Sequence, residues 1–136
     1  MIIRDLQQQD TQQIAEIHGR MGMDYALPDL DSPLFLVRKV ATNENGKILA
    51  ACVLRIEAET YLLLDPQLSP QIKMKTMLEL QPEILRGAWE QGLDNIVAWV
   101  PEAVEKKFKR RLQKLGWNRD RTGWHSWSRS LEESAP

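Results

Sequence analysis

The sequence predicts a mixed α/β (α+β) domain in which helices flank one sheet. Apolar residues follow helical spacing in some segments and strand-like runs in others, and glycine, proline and polar turns separate these segments. The length of 136 residues is near the commonest size of one domain. Hydrophobic residues make up 43% and charged residues 27%, which argues against general disorder. We expect one domain over residues 1–131 and a frayed tail over residues 132–136.

The first third of the chain predicts a strand, a helix and a loop. Residues 1–6 form a short apolar strand. Asp10 is a typical N-cap, with Gln13 three residues later as its capping-box partner, and Gly22 marks the end of the helix. Residues 24–33 mix acidic residues and prolines, which is typical of a loop.

Three sequential antiparallel strands are expected next. Residues 34–41 are rich in branched and aromatic side chains, and Asn45-Gly46 supplies a hairpin turn because it tolerates positive φ. The return strand over residues 47–56 is largely apolar, so we predict that it lies centrally in its sheet. A third strand is predicted over residues 60–65.

The second half predicts two helices and further strands. Ser69 and Pro70 begin the first helix, as N-cap and first helical residue, and Pro82 predicts a kink or break near residues 78–82. A short buried strand is expected over residues 95–100. The helix that follows carries an apolar stripe and ends at Gly116, and a closing hairpin with its turn at Thr122-Gly123 is expected after it. The stripe consists of Val104, Phe108, Leu112 and Leu115, of which Phe108 and Leu112 are expected to be buried.

This order of elements resembles the GNAT N-acyltransferase superfamily. Gly92 to Val100, followed by a helix that ends Lys114-Leu115-Gly116-Trp117, looks like the family's fifth strand and fourth helix. Leu64-Asp65-Pro66 looks like the family's exit from strand four. The resemblance implies a mixed central sheet of about seven strands flanked by about four helices. It also implies transfer of an acyl group from acyl-CoA to an amine, in a cleft between strands four and five.

The resemblance assigns candidate catalytic residues to strand four. Family members commonly place a carboxylate there to take a proton from the amine, which points to Glu57 and Glu59. The family's tyrosine, which protonates the leaving thiolate, would fall at Leu112, and leucine cannot donate a proton. Tyr61, or Tyr25 in the first loop, would therefore have to act from another direction.

The cofactor would be acetyl-CoA or another acyl-CoA, without the family's glycine-rich pyrophosphate loop. No glycine lies between Gly46 and Gly87, and residues 69–76 occupy the place of that loop. The helix N-terminus still offers positive partial charge, to which lysines can add. The candidate cofactor-binding residues are Leu62, Leu64, Gln71, Lys73, Lys75 and Thr76.

Two alternatives stand beside catalysis. The first is a GNAT-fold domain without activity that serves as a binding or assembly module. The second is a nucleic-acid binder, because residues 1–100 hold 9 Lys and Arg against 14 Asp and Glu, whereas residues 101–136 hold 9 against 5. A solvated helix face explains the same excess, and nucleic acid is not the partner that we predict. The basic residues in question are Lys106, Lys107, Lys109, Arg110, Arg111 and Lys114.

Other chemistry has little support in the sequence. The two histidines, His18 and His125, have no cysteine or carboxylate at metal-ligand spacing, so no metal site is expected. Cys52 is predicted to be a small core residue rather than a nucleophile, and one buried thiol is typical of the cytoplasm. No apolar run is long enough to span a membrane. The acceptor is expected to be a small-molecule or peptide amine, and the oligomeric state is not indicated.

Overall fold

The computed structural model describes residues 1–120 and 123–131 and forms two compact units, residues 1–98 and residues 99–136. It belongs to the mixed α+β class, as predicted. The second unit contains one helix, α3 (Glu102–Lys114). The first unit contains a single turn of 3-10 helix at residues 8–10, together with β1 (Ile2–Asp5), α1 (Thr11–Met21), β2 (Phe35–Thr42), β3 (Ile48–Arg55), β4 (Ala58–Thr60), α2 (Pro70–Glu90) and β5 (Ile96–Ala98).

Within the described residues, five strands form two small sheets instead of the expected sheet of about seven strands. One sheet has the order β1-β2-β3 and is antiparallel throughout, and the other pairs β4 with β5 in parallel. The prediction that residues 47–56 lie centrally is therefore wrong, because β2 is the middle strand and β3 is an edge. The prediction of a third antiparallel strand after β3 is also wrong. The chain leaves β3 and enters a ladder with β5, so that Glu59 lies opposite Val97.

The hairpin between β2 and β3 follows the prediction. Gly46 has a φ of 79°, in the left-handed region that glycine adopts without a steric penalty. The Oδ1 atom of Asn43 accepts hydrogen bonds from the backbone N–H groups of Asn45 and Lys47, at 3.0 and 2.9 Å. These bonds fix the turn and with it the register of the hairpin.

The core of the first unit lies between α1, the loop before β2 and the inner face of the three-stranded sheet. It consists of five buried side chains, Ile14, Leu30, Phe35, Val40 and Ile48. Cys52 lies opposite Lys39 and is exposed, so its predicted burial is wrong. Strand alternation explains the difference: Val53 packs against the core and its neighbour Cys52 points to the other face.

The start of α1 differs in detail from the predicted capping box. Asp10 lies at the N-cap position, but its side chain makes no capping bond to α1. It instead accepts from the backbone N–H of Gln7 at 2.8 Å and pairs with Arg4. The Gln13 side chain is also used elsewhere, because its Oε1 accepts from the N–H of Ile48 at 3.1 Å and so joins α1 to β3. As predicted, the helix is followed by Gly22, with a φ of 64°.

A kink or a break was predicted near residues 78–82, and the break is absent because helix α2 is continuous from Pro70 to Glu90. Pro82 lies within the helix and costs it one backbone hydrogen bond, while the turns on either side continue. None of the residues of α2 is buried. No helix among the described residues is long and apolar enough to cross a membrane.

In the second unit α3 begins after Pro101 and ends before Gly116, as predicted. Phe108 and Leu112 are half-buried rather than buried, so the burial expected for them is only partial. Residues 117–120 and 123–131 contain no strand, and their serine, asparagine and aspartate side chains favour strands poorly. Arg121, Thr122 and the predicted tail at residues 132–136 lie outside the described residues.

Candidate functional site

The predicted catalytic residues lie along the parallel ladder between β4 and β5: Glu57 precedes β4, Glu59 is its middle residue and Tyr61 comes directly after it. The three pairs of the ladder are Ala58 with Ile96, Glu59 with Val97, and Thr60 with Ala98. The strand predicted over residues 60–65 is therefore placed too late, because β4 ends at Thr60 and residues 61–65 form no strand. The two segments are side by side for three residues only.

Glu59 and Tyr61 are in direct contact. The Tyr61 hydroxyl donates a hydrogen bond to Oε2 of Glu59, with 2.7 Å between the two oxygens. Residues two apart in an extended chain project to the same side, which brings the pair together. Glu57 is exposed and forms no hydrogen bond or ion pair with the rest of the described chain. The structure thus joins two of the three predicted catalytic side chains.

The contact alters the acidity of the phenol. The hydrogen bond to Glu59 and the negative charge of its carboxylate both raise the pKa of Tyr61 above its ordinary value of 10.0. Tyr61 therefore stays protonated at neutral pH, and Glu59 serves as its acceptor. The Tyr61 residue is 75% exposed, so water reaches this pair freely.

Beyond β4, residues 61–65 have no regular secondary structure, and three of them are consecutive leucines, Leu62, Leu63 and Leu64. The backbone groups of Leu62, Leu63 and Leu64 make no hydrogen bond within the described residues. The Leu64 side chain is half-buried, whereas Leu62 and Leu63 are exposed. This segment offers a row of unpaired N–H and C=O groups to an extended ligand.

The N-terminus of α2 offers fewer donors than a glycine-rich loop. The Ser69 hydroxyl oxygen accepts from the N–H of Ile72 at 3.3 Å, and the N–H of Lys73 bonds to the Ser69 carbonyl at 2.9 Å. Pro70 has no N–H group. Gln71 therefore contributes the one N–H in this turn that no atom of the described residues accepts.

Some side chains near the start of α2 already have a partner within the protein, and others do not. Lys73 is half-buried, and no carboxylate within the described residues pairs with its ammonium group. Lys75 forms a long ion pair with Glu79, at 3.9 Å between Nζ and Oε1. The Thr76 hydroxyl donates to the carbonyl of Ile72 at 2.8 Å, so its proton is used inside the helix. Gln71 is exposed.

The candidate catalytic residues and the N-terminus of α2 form two separate groups of residues. No hydrogen bond or ion pair between described atoms joins Glu59 or Tyr61 to residues 69–76. Two surface hollows, of about 530 and 340 Å³, are lined by other residues, the larger around α3 and the smaller around α1. Within the described residues, no three His, Cys, Asp or Glu side chains are grouped to hold a metal ion.

Two features near the sheet were not predicted. The Nε2 atom of His18 is buried and makes no hydrogen bond to any described residue, while the His18 ring meets the Tyr25 ring edge-on, with 5.1 Å between centroids. Arg55, at the end of β3, pairs with Asp94 just before β5. The sequence gives no signal for either contact, since each joins residues whose proximity depends on the fold.

Comparison of the chain with protein-family models, with curated proteins and with solved structures gave no match.

Proposed function

We propose that the chain is a divergent GNAT-like N-acyltransferase, which transfers an acyl group from acyl-CoA to an amine. The proposal depends on one observation: β4 and β5 pair in parallel, and Glu59 and Tyr61 are hydrogen-bonded to each other at the end of β4. The resemblance implies a reaction between strands four and five, and a carboxylate with a phenol supplies the two proton-transfer groups that this reaction uses.

Glu59 and Tyr61 have complementary roles in this mechanism. Acyl-CoA supplies an acyl group activated as a thioester. The Glu59 carboxylate takes a proton from the amine that attacks the thioester, and the Tyr61 hydroxyl holds a proton that it can give to the leaving sulfur. Because Tyr61 bonds directly to Glu59, the proton gained by the carboxylate can pass to the phenolate and restore both groups. Positioning of the reactants supplies the rest of the acceleration.

The residues for holding the cofactor fit a phosphate by charge more than by backbone geometry. Lys73 supplies an unpaired ammonium group, Lys75 a weakly paired one, and Gln71 one free backbone N–H. Exposed lysines act through salt-screened attraction and lose rotamer freedom on binding. The unpaired backbone of residues 62–64 can bond to the amide groups of the cofactor's arm. We therefore expect weak, salt-sensitive binding of acetyl-CoA.

Calorimetric titration with acetyl-CoA tests this binding. The wild type and Lys73→Ala/Lys75→Ala are titrated at low and at physiological ionic strength, with Arg20→Ala/Lys47→Ala as a control that removes the same charge elsewhere. We expect binding to weaken with salt and to weaken further in the Lys73/Lys75 variant alone. Tight binding that neither salt nor this double substitution changes contradicts the proposed phosphate site.

An acyl-transfer assay over a panel of small amines and peptide amines separates catalysis from simple binding. Glu59→Gln and Tyr61→Phe should each lower kcat by roughly 10²- to 10⁴-fold, the usual contribution of a general acid or base. Glu57→Gln removes the same charge without a contact to Tyr61 and should retain activity. If acetyl-CoA binds and no amine is acylated, the chain is the silent binding module instead.

A further inference from the structure

Helix α3 carries a continuous basic face. At 100° per residue, Lys106, Arg110 and Lys114 form one row along the helix, and Lys107 and Arg111 form a second row beside it. All five side chains are exposed. Successive members of a row are four residues apart, or about 6 Å along the axis. The two rows together cover about 12 Å of helix length.

Negative charge is confined to the first turn of α3. Glu102 pairs with Lys106 at 3.5 Å, and Glu105 pairs with Arg119 at 3.6 Å. From residue 106 to residue 114 the helix contains six cations and no acidic residue. Lys107, Arg110 and Lys114 have no carboxylate partner in the described part of the chain.

The stability of the helix does not account for this arrangement. Cations favour the last turn of a helix because of its dipole, which explains Arg111 and Lys114. Lys107 and Arg110 lie outside the last turn, and like charges four residues apart destabilise a helix. Lys107 stands four residues before Arg111, and Arg110 four before Lys114, so an external anion would remove both repulsions.

The opposite side of α3 argues against a membrane surface. An interfacial helix inserts its apolar stripe between lipid chains, which requires that stripe to be free. Phe108, Leu112 and Leu115 are half-buried in the protein, and the guanidinium of Arg111 lies 5.6 Å from the centre of the Phe108 ring. Val104, at the start of the stripe, is 42% exposed, whereas the three residues that follow it in the stripe are partly covered by the protein.

We propose that the two basic rows of α3 bind the phosphate backbone of a nucleic acid. Regularly spaced cations on one side of a helix are complementary to a polymer with regularly spaced negative charges. Contacts to phosphate oxygens carry no information about base sequence, so we expect binding through these rows to be independent of sequence. This property is separate from the proposed acyl transfer, since none of these residues belongs to that site.

Fluorescence anisotropy with the full chain tests the proposal, using a labelled 20-base-pair DNA duplex, the single strand of the same sequence and an RNA of that sequence. We expect a dissociation constant of about 10⁻⁴ to 10⁻⁶ M at moderate salt. For the duplex, the logarithm of the association constant should fall with the logarithm of the salt concentration with a slope of about −4 to −5, because five phosphate contacts are made. Lys107→Gln/Arg110→Gln/Lys114→Gln should weaken binding at least tenfold and make the slope smaller by about three.

Matched variants separate a local effect from a change in net charge. Arg20→Gln/Lys47→Gln/Arg86→Gln removes three positive charges from the first unit and should change the affinity less than twofold. Arg110→Lys/Arg111→Lys keeps the charge of the face and should keep the slope. Failure to bind at low salt, equal losses in both triple variants, or binding to phosphatidylserine vesicles without binding to nucleic acid overturns the proposal.

Discussion

The guanidinium group of Arg4 holds the carboxylate of Asp10 in a bidentate ion pair, with N–O distances of 2.7 and 2.8 Å. The carboxylate also accepts the backbone N–H of Gln7, and the Asp10 side chain is only 4% exposed. These contacts fix β1 against the segment that enters α1. Hydrogen bonding by Arg4 lowers the pKa of Asp10 below its ordinary value of 3.8, against the opposing effect of burial.

Asp10→Asn should destabilise the protein at neutral pH and have less effect in acid. The variant loses the ion pair and replaces one of the two acceptor oxygens by an NH2 group, which cannot accept from Arg4 or Gln7, so it costs about 1 to 3 kcal/mol. Because the folded-state pKa is lowered, the wild-type advantage is complete above the unfolded-state pKa of 3.8 and declines as pH falls through the folded-state value. Urea denaturation from pH 7 downwards measures it. Substitution of the exposed Asp24 by Asn is the control. If the difference in unfolding free energy between the wild type and Asp10→Asn stays constant in acid, the lowered pKa is not that of Asp10.

Glu59→Gln should lower the pKa of Tyr61. The carboxylate raises that pKa through its hydrogen bond and its charge, and glutamine removes the charge and weakens the bond. Alkaline titration of tyrosinate absorbance, performed in a Tyr25→Phe background, follows Tyr61 alone. Glu57→Gln should leave the titration unchanged. An unchanged titration in Glu59→Gln would mean that the contact with Tyr61 does not persist in solution.

Ile48→Ala and Leu49→Ala should differ strongly although they are neighbours on β3. Ile48 is 3% exposed and belongs to the core, so truncation should cost about 2 to 5 kcal/mol of unfolding free energy. Leu49 is 47% exposed and should cost clearly less, because it loses little buried contact. Thermal or urea denaturation of both variants gives the comparison. A larger loss in Leu49→Ala than in Ile48→Ala would show that the register of β3 is shifted by one residue.

Cys52 should react with a disulfide reagent in the folded protein. Its side chain is on the exposed face of β3, so access does not require unfolding. Thiol release with Ellman's reagent should be stoichiometric in buffer and only modestly faster in denaturant. Cys52→Ser supplies the blank. Protection of the thiol until the protein unfolds would restore the core location that the sequence suggested.

Elements set by local chemistry were predictable from the sequence. Ser69 with Pro70 marks the start of α2, and Asn45-Gly46 marks the hairpin turn, because each depends on its own residues and their dihedral angles. The pairing of β4 with β5 was not, since it joins segments nearly forty residues apart. The predicted burial of Cys52 was wrong for a related reason, because an apolar run does not reveal which face of an edge strand is covered by the core.

The candidate site was predictable to a similar extent. Glu59 and Tyr61 were named separately as catalytic candidates, and the structure joins them by a hydrogen bond that the sequence did not predict. The sequence did not predict that the side chains of Lys75 and Thr76 are engaged within their own helix. Lys75 pairs with Glu79, and the Thr76 hydroxyl donates a hydrogen bond to the carbonyl of Ile72. Residues that look available in sequence can thus be occupied by their own helix.

The unpaired backbone of residues 62–64 has a consequence for the handling of the protein. Three consecutive leucines, with Leu63 93% exposed, form a short template onto which a strand of another molecule can add. Asp65 and Pro66 follow at once: the aspartate adds charge, and the proline removes a donor. Intermolecular strand addition is therefore limited to a few residues. Replacement of Asp65 and Pro66 by apolar residues should turn a soluble preparation into one that aggregates with rising concentration, which light scattering would detect.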